Sequence, residues 1–307
     1  MNIASIDIGT NTVLLLITKV NNGKLIPLLN RYRMPRLGKG LLPHRPISED
    51  GIKALFDILD EYRESIEKFN CETVLVNATN AFRIASNSHE IAKIIKQKYG
   101  YEVNIISGEK EAKLSFLGAI SSFQSVKNSL VIDIGGGSTE IIYGNQKSIS
   151  FVNSFKVGVV SLTEKFIKNS PPLDSEIQKM EKEISSIFAI LKTEIPVNPF
   201  TIAVAGTPTT LSCIIQNIKE YADNLVEQSE ISKSDLLKYS GILKKMKPAE
   251  ILKTFGKIVD GREDVLLAGV LILEGISGLL KIDKYYVSSR GIRYGAVIDW
   301  LNKNHKI

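Results

Sequence analysis

A chain of 307 residues with 44% hydrophobic and 23% charged residues has the composition of a globular protein of about two domains. Its net charge of +6 favours polyanionic partners, but the lysines are scattered rather than massed. Aromatic residues make up only 7%, and no basic-aromatic stripe, helix-turn-helix or zinc-finger spacing is present, so a nucleic-acid partner is not expected. The longest apolar runs, such as 265–273, fall short of the ~20 residues needed to span a bilayer. The N-terminus enters a strand pattern with no secretion signal. A cytoplasmic protein without a membrane partner is therefore expected. Cys71 and Cys213 lack metal-ligand spacing and read as free buried thiols. His44, His89 and His305 lie in polar segments and read as surface histidines.

In chain order, "NIASIDIG" is followed by "TVLLLITKV", a turn at Asn21-Asn22-Gly23, and "KLIPLLNRYRM". Two apolar runs split by Asn-Gly predict a hairpin. A basic loop, "RLGKGL", comes next. Ser48-Glu49-Asp50 then reads as a helix start, with Ile52, Leu55, Phe56, Leu59 and Tyr62 at helical spacing. "ETVLVNAT" predicts a strand opening into a helix. "EVNIIS" predicts another strand, with the helical "GEKEAKLSFLGAISSF" after it. The pattern then restarts after a short polar break near 121–128. "SLVIDIGGG" and "TEIIYGN" predict a strand pair with a turn at Gly144-Asn145, and "KSISFVNSFKVG" a third strand. A helix over about 175–192 follows, then the strand, glycine loop and helix of "FTIAVAGTPTTLSCII". Helices over 232–246 and 263–280, the strand "YYVSS" and the helix "YGAVIDWLNK" complete the chain. The order strand-hairpin-helix-strand-helix thus occurs twice, which predicts a duplicated α/β architecture with mixed sheets.

The tetrad Ile-Asp-Ile-Gly appears at Ile6-Asp7-Ile8-Gly9 and again at Ile132-Asp133-Ile134-Gly135. Each strand turns on glycine and then offers small polar residues: Gly9, Thr10, Asn11 and Thr12 in the first copy, Gly135, Gly136, Gly137, Ser138 and Thr139 in the second. Glycine lets backbone approach a ligand closely, and consecutive N–H groups can hold an anion. A carboxylate two residues before such a turn would repel phosphate unless a divalent cation lay between them. Asp7 and Asp133 are therefore candidate ligands for Mg²⁺ or Mn²⁺. Glu140, isolated in the returning apolar strand, is a third. Two copies predict two loops that face each other across a cleft and share one phosphate group. No Gly-Lys-Ser/Thr precedes a helix, so this is not a P-loop. The glycines lead into a second strand, so it is not a dinucleotide fingerprint. Arg83, after Thr79-Asn80-Ala81, has the fork to grip phosphate. Glu111, on the first turn of a helix, is placed to orient water. Gly206 and Thr207 supply a third strand-to-helix turn. Arg31, Arg33, Arg36 and Lys39 are candidates to line a path for a longer anion.

These motifs resemble the phosphate loops of the actin, sugar-kinase and heat-shock-chaperone ATPase superfamily. Within it, the chain resembles the exopolyphosphatase and guanosine pentaphosphate phosphohydrolase family. The resemblance rests on "ASIDIGTNTVLLLI", "NATNAFRIASN", "IISGEKEAKLSFLGA", "LVIDIGGGSTEII", "VAGTPTTL" and "VSSRGIRYGAV", which run in order along nearly the whole chain. It implies two duplicated ribonuclease H-like (actin-like ATPase) domains flanking a central cleft. These would cover residues 1–124 and 125–307, with a last helix of about 296–307 packing back on the first. It implies release of terminal phosphate from polyphosphate or guanosine pentaphosphate, with Glu111 rather than Glu109 as the catalytic glutamate. It also leaves a homodimer as an expected partner state. The family's late loop often carries Glu after its arginine, whereas here Tyr294 follows Arg293. Two alternatives remain on the same fold: a small-molecule kinase, and a non-catalytic sensor of nucleotide or polyphosphate.

Overall fold

The computed structural model describes residues 1–21, 24–123, 128–145 and 148–304. Part of the expected turn at 21–23, part of the break near 121–128, and His305 lie outside the described residues. The chain divides into two units. The first is residues 1–118 with the C-terminal residues from Ile292; the second is Ala119–Gly291.

The first unit contains β1 (Asn2–Ile8), β2 (Val13–Asn21), β3 (Lys24–Arg33), α1 (Glu49–Lys68), β4 (Thr73–Ala78), α2 (Asn80–Ile84), α3 (Ser88–Tyr99), β5 (Val103–Ile105) and α4 (Gly108–Ile120), which ends at the boundary. Its sheet has the order β3-β2-β1-β4-β5, with the β1–β2–β3 meander antiparallel and β1, β4 and β5 parallel. β1 lies at the centre, and every residue from Ile3 to Ile8 is buried. β3 is the edge strand. It is largely exposed and carries Pro27, a residue tolerated at an edge because it donates nothing to the ladder. α1 starts as expected: the Ser48 hydroxyl accepts from Gly51 N at 3.2 Å, and Leu55, Leu59, Tyr62 and Ile66 form its buried stripe. The Tyr62 hydroxyl donates to Val13 O at 2.8 Å, which fixes α1 beside the turn between β1 and β2.

The second unit contains β6 (Ser129–Ile134), β7 (Thr139–Gly144), β8 (Ile149–Phe155), α5 (Val159–Phe166), α6 (Asp174–Ile187), α7 (Leu191–Glu194), β9 (Phe200–Val204), α8 (Gly206–Ile215), α9 (Asp223–Val226), β10 (Glu230–Ser232), α10 (Lys233–Leu243), α11 (Pro248–Phe255), α12 (Leu266–Leu280) and β11 (Lys284–Ser288). Its sheet order is β8-β7-β6-β9-β11-β10. The first five positions repeat the first unit's order and directions, and β10 adds an antiparallel edge. The apolar α12 is buried along nearly its whole length, as its composition predicts. α3, α5, α9, α11 and β10 are additions to the elements expected from sequence.

α13 (Ile292–Lys303) belongs to the first unit, where Tyr294, Val297 and Leu301 join Ile3 and Leu16 in a buried cluster. Position 294, where the family's loop often has Glu, is thus committed to packing. The Tyr294 hydroxyl accepts from Asn30 Nδ2 at 3.2 Å, and Arg293 Nη1 donates to Asn30 Oδ1 at 3.1 Å.

Both thiols are unfavourable nucleophiles, since burial pushes Cys71 and Cys213 up to about 11. Cys213 is fully buried and Cys71 half-buried. Glu176, at the start of α6, accepts from Leu173 N, Asn169 Nδ2 and Lys168 N, each at 2.9 Å. The Leu173 amide first, then the Asn169 side chain, holds its carboxyl below the ordinary value of 4.5. A depressed folded value stabilises the fold above the ordinary range, and the contribution is lost as pH falls through the folded value. Glu176→Gln should therefore flatten the fall of Tm below pH 4.5 in thermal scans; an unchanged slope would remove Glu176 from the acid response.

Candidate active site

In the first unit the parallel strands β1, β4 and β5 end on one edge of the sheet. Thr79 N donates to Ile8 O and Ile106 N to Ala78 O, both at 3.0 Å, so the three chain exits stay in contact. The turn Gly9–Thr12 leaves β1, Arg83 sits on α2 after β4, and Glu111 sits on α4 after β5. Gly9 N donates to Thr12 O at 2.8 Å, and a Cβ on Gly9 would lie 3.1 Å from that oxygen, so the turn is closed tightly. Asp7 is 8% exposed and stands in register between Leu14 and Asn77.

Arg83 Nη1 donates to Glu111 Oε2 at 2.5 Å and to Ile106 O at 2.9 Å. The fork expected to grip phosphate therefore also orients the expected catalytic carboxylate. Burial separates the two glutamates of α4. Glu111 is 6% exposed, at the positive end of the helix. Glu109 is exposed and bonded to Lys113 Nζ at 2.7 Å, and that hydrogen bond holds its carboxyl below the ordinary value. Arg31 and Arg33 are both committed to Glu61, at 2.7 and 2.6 Å. Among the four expected basic path residues, Lys39 and Arg33 are exposed and Arg31 and Arg36 half-buried.

The second unit repeats the turn. Gly135 N donates to Ser138 O at 2.9 Å, and a Cβ on Gly135 would again lie 3.1 Å from the accepting oxygen. Gly135, Gly136 and Gly137 remain partly exposed. Thr139, expected among the phosphate ligands, is instead fully buried and donates its hydroxyl to Val157 O at 2.7 Å; its side chain braces the loop from within. Asp133 and Glu140 are directly opposed across β6 and β7, and are only 7% and 1% exposed. Ser154 Oγ, opposite Glu140 on β8, donates to Glu140 Oε1 at 2.6 Å.

The third turn runs from β9 into α8. Ala205 there has φ 74° and ψ −166°, a conformation costly for any residue with a Cβ. The Thr207 side chain packs against α12, where a Cβ on Gly269 would come within 2.1 Å of Thr207 Oγ1. The Arg262 guanidinium lies over Gly206: a Cβ there would be 1.9 Å from Arg262 Nη1, which donates to Thr210 Oγ1 at 3.3 Å. Sequence reasoning missed Arg262. It is distant in the chain from the turn it covers, and no local pattern marks it.

The donor set can be tested against a divalent cation. Two directly opposed buried carboxylates repel one another, and a cation between them would relieve that repulsion. Their oxygens suit a hard cation such as Mg²⁺ or Mn²⁺. Among the described residues no group of three or more His, Cys, Asp or Glu side chains could hold a metal ion. A cation at Asp133 and Glu140 would then complete its shell with water and phosphate oxygens, as Mg²⁺ commonly does.

Two sheets sharing one strand order, each with its central strand turning on Asp-Ile-Gly, define a protein of the actin-like ATPase fold. The chain belongs to the Ppx/GppA phosphatase family, whose sequence pattern matches residues 16–304. The resemblance read from the motifs is thereby confirmed. The chain is 31% identical to a bifunctional 3-dehydroquinate synthase/phosphatase of Fusobacterium nucleatum, over 96% of its own length and 46% of the relative's. It is 28% identical to exopolyphosphatase 2 of Mycobacterium tuberculosis, covering 96% of this chain and 97% of that one. The crystal structure of the Aquifex aeolicus member of the Ppx/GppA family superposes with a TM-score of 0.86 at 31% identity, covering 99% and 98% of the two chains. The chain thus spans about half of the first relative and nearly all of the second. Among the described residues no helix is long and apolar enough to cross a membrane.

Proposed function

We propose that this chain is a metal-assisted phosphohydrolase that releases the terminal phosphate of inorganic polyphosphate or guanosine pentaphosphate. The observation that carries the reading is the pairing of half-buried Arg83 with buried Glu111 beside the Gly9–Thr12 turn. Hydrolysis of a phosphoanhydride needs an oriented water, a group to take its proton and charge neutralisation around the phosphoryl oxygens. Glu111 is the group to orient the water and take its proton, and Arg83 holds that carboxylate in one direction. Arg83 and the N–H groups of the Gly9–Thr12 turn neutralise the phosphoryl oxygens, and the second turn offers N–H groups of the same kind in its own unit. A divalent cation held by Asp133 and Glu140 would screen the negative charge of substrate and carboxylates together, and Asp7 is the corresponding carboxylate of the first unit.

The names of relatives support this reading: exopolyphosphatase 2 in Mycobacterium tuberculosis, and guanosine-5'-triphosphate,3'-diphosphate pyrophosphatase in Pseudoalteromonas translucida. Phosphate release should be compared on long polyphosphate, tripolyphosphate, guanosine pentaphosphate and ATP, with Mg²⁺ and no acceptor. Release from one of the first three identifies the substrate class. Transfer only when an acceptor is added points to the kinase alternative, and binding without release points to the sensor.

Asp133→Asn should raise the Mg²⁺ needed for half-maximal activity by about 10-fold or more, because a neutral amide is a poorer ligand for a hard cation. It should also abolish the rise in Tm that Mg²⁺ gives the unmodified protein. An unchanged metal titration would leave Asp133 with a structural role only.

A further inference from the structure

The carbonyl groups of both glycine turns are tied down by a second layer of backbone. In the first unit, Gly38 N donates to Thr10 O at 2.8 Å and Arg36 N to Asn11 O at 3.1 Å. In the second, Val159 N donates to Gly135 O at 3.0 Å, while Val160 N and Ser161 N donate to Gly136 O at 2.8 and 3.2 Å. A trans peptide points the carbonyl of one residue and the N–H of the next in opposite directions. Tying back the Thr10 and Gly136 carbonyls therefore aims the Asn11 and Gly137 N–H groups the other way. The same constraint on Asn11 and Gly135 aims the N–H groups of Thr12 and Gly136. Thr10 and Gly136 are equivalent, each following the first glycine of its turn. Their backings are not: one is the loop after β3, the other the N-terminus of α5. Two unrelated local structures thus tie back equivalent carbonyls and so fix equivalent N–H groups.

Each backing comes too close for any side chain. A Cβ on Gly38 would lie 2.1 Å from Thr10 Cγ2, and a Cβ on Gly158 would lie 2.5 Å from Gly135 O and 2.6 Å from Gly136 O. The geometry points to Gly38 and Gly158 as positioning residues, each of which seats this second layer in its own unit and holds the Asn11 or Gly137 N–H group aimed for phosphate before it arrives. This rests on the functional reading above. Such pre-organisation serves binding as well as turnover, because no reorientation of the turn is needed when the anion enters.

Gly38 allows a test by rescue, since its obstructing neighbour is a single methyl group. Gly38→Ala should weaken tripolyphosphate binding, measured by calorimetry on folded protein, by about 10-fold or more and raise KM in parallel. Thr10→Ser removes Cγ2 and keeps the hydroxyl. The double variant Gly38→Ala/Thr10→Ser should therefore bind as Thr10→Ser alone does. A merely structural Gly38 would lower Tm but leave the affinity of the folded protein and its KM unchanged, and that result overturns the proposal. If Gly38→Ala does not fold, Ser161→Ala carries the test. It removes the hydroxyl that accepts from Gly158 N at 2.9 Å and adds no atom. An affinity loss of about 3-fold or more supports the proposal, and an unchanged affinity overturns it. Failure of the unmodified chain to bind or hydrolyse tripolyphosphate is a separate result: it overturns the functional reading, and the aiming of these N–H groups at phosphate with it.

Discussion

Glu111→Gln is expected to lower turnover by ~100-fold or more while leaving the fold intact, in line with the usual contribution of a general base. The amide keeps the size of the side chain and an oxygen that can accept from Arg83 Nη1, now 2.5 Å from the carboxylate. What it loses is the capacity to take a proton from water. Arg83 keeps its bond to Ile106 O, so its position does not depend on the charge of residue 111. Glu109→Gln is the matched control. That side chain is exposed and paired with Lys113 on its own helix, so turnover should stay within about 2-fold, as for most surface substitutions. Near-normal turnover in Glu111→Gln would displace Glu111 from the chemistry.

Gly295→Ala sets two effects of opposite sign against each other. Alanine in a helix interior is favoured over glycine by about 1 kcal/mol. Against that, a Cβ on Gly295 would lie 1.7 Å from the backbone oxygen of Leu114, where α13 packs on α4. A backbone group cannot swing aside as a side-chain tip can. The Lys110–Asp299 ion pair at 2.9 Å further holds the two helices together. Steric cost should win, with a net loss of about 2 kcal/mol or more and a fall in Tm of ~5–10 °C. Gly278→Ala in α12 is the contrast: nothing lies within 4 Å of the added Cβ, so propensity alone acts and Tm should hold or rise. A stable Gly295→Ala variant would show that α13 does not pack on α4 at this point.

The repeated turns were legible because Ile-Asp-Ile-Gly is a local signal, and its duplication foretold two sheets of one strand order. Burial of Asp7, Asp133 and Glu140 followed from their place in apolar strands. The helix Ser88–Tyr99 lay outside the sequence reading, although Ile91 and Ile95 carry helical spacing. Pairings across the chain were not legible. Nothing local to Arg83 or Glu111 announces their salt bridge, and nothing near Gly206 announces Arg262. Gly38, Gly158 and Gly295 show the same limit. Each is glycine because of a neighbour brought in from elsewhere in the chain, so the reason exists only in the folded state. The inward turn of the Thr139 hydroxyl, bonded to Val157 O, was not legible for a related reason: a hydroxyl beside a glycine turn looks the same in sequence whether it faces ligand or core.

In the proposed reaction, water positioned by Glu111 attacks a terminal phosphate. Turnover of tripolyphosphate in water labelled with heavy oxygen, with Mg²⁺ and no acceptor, tests it directly by mass spectrometry of the released phosphate. One labelled oxygen is expected in each phosphate released during a single turnover, with labelled release slowed ~100-fold or more in Glu111→Gln. Phosphate found on an added acceptor without label, or label incorporated at the normal rate by Glu111→Gln, would contradict it.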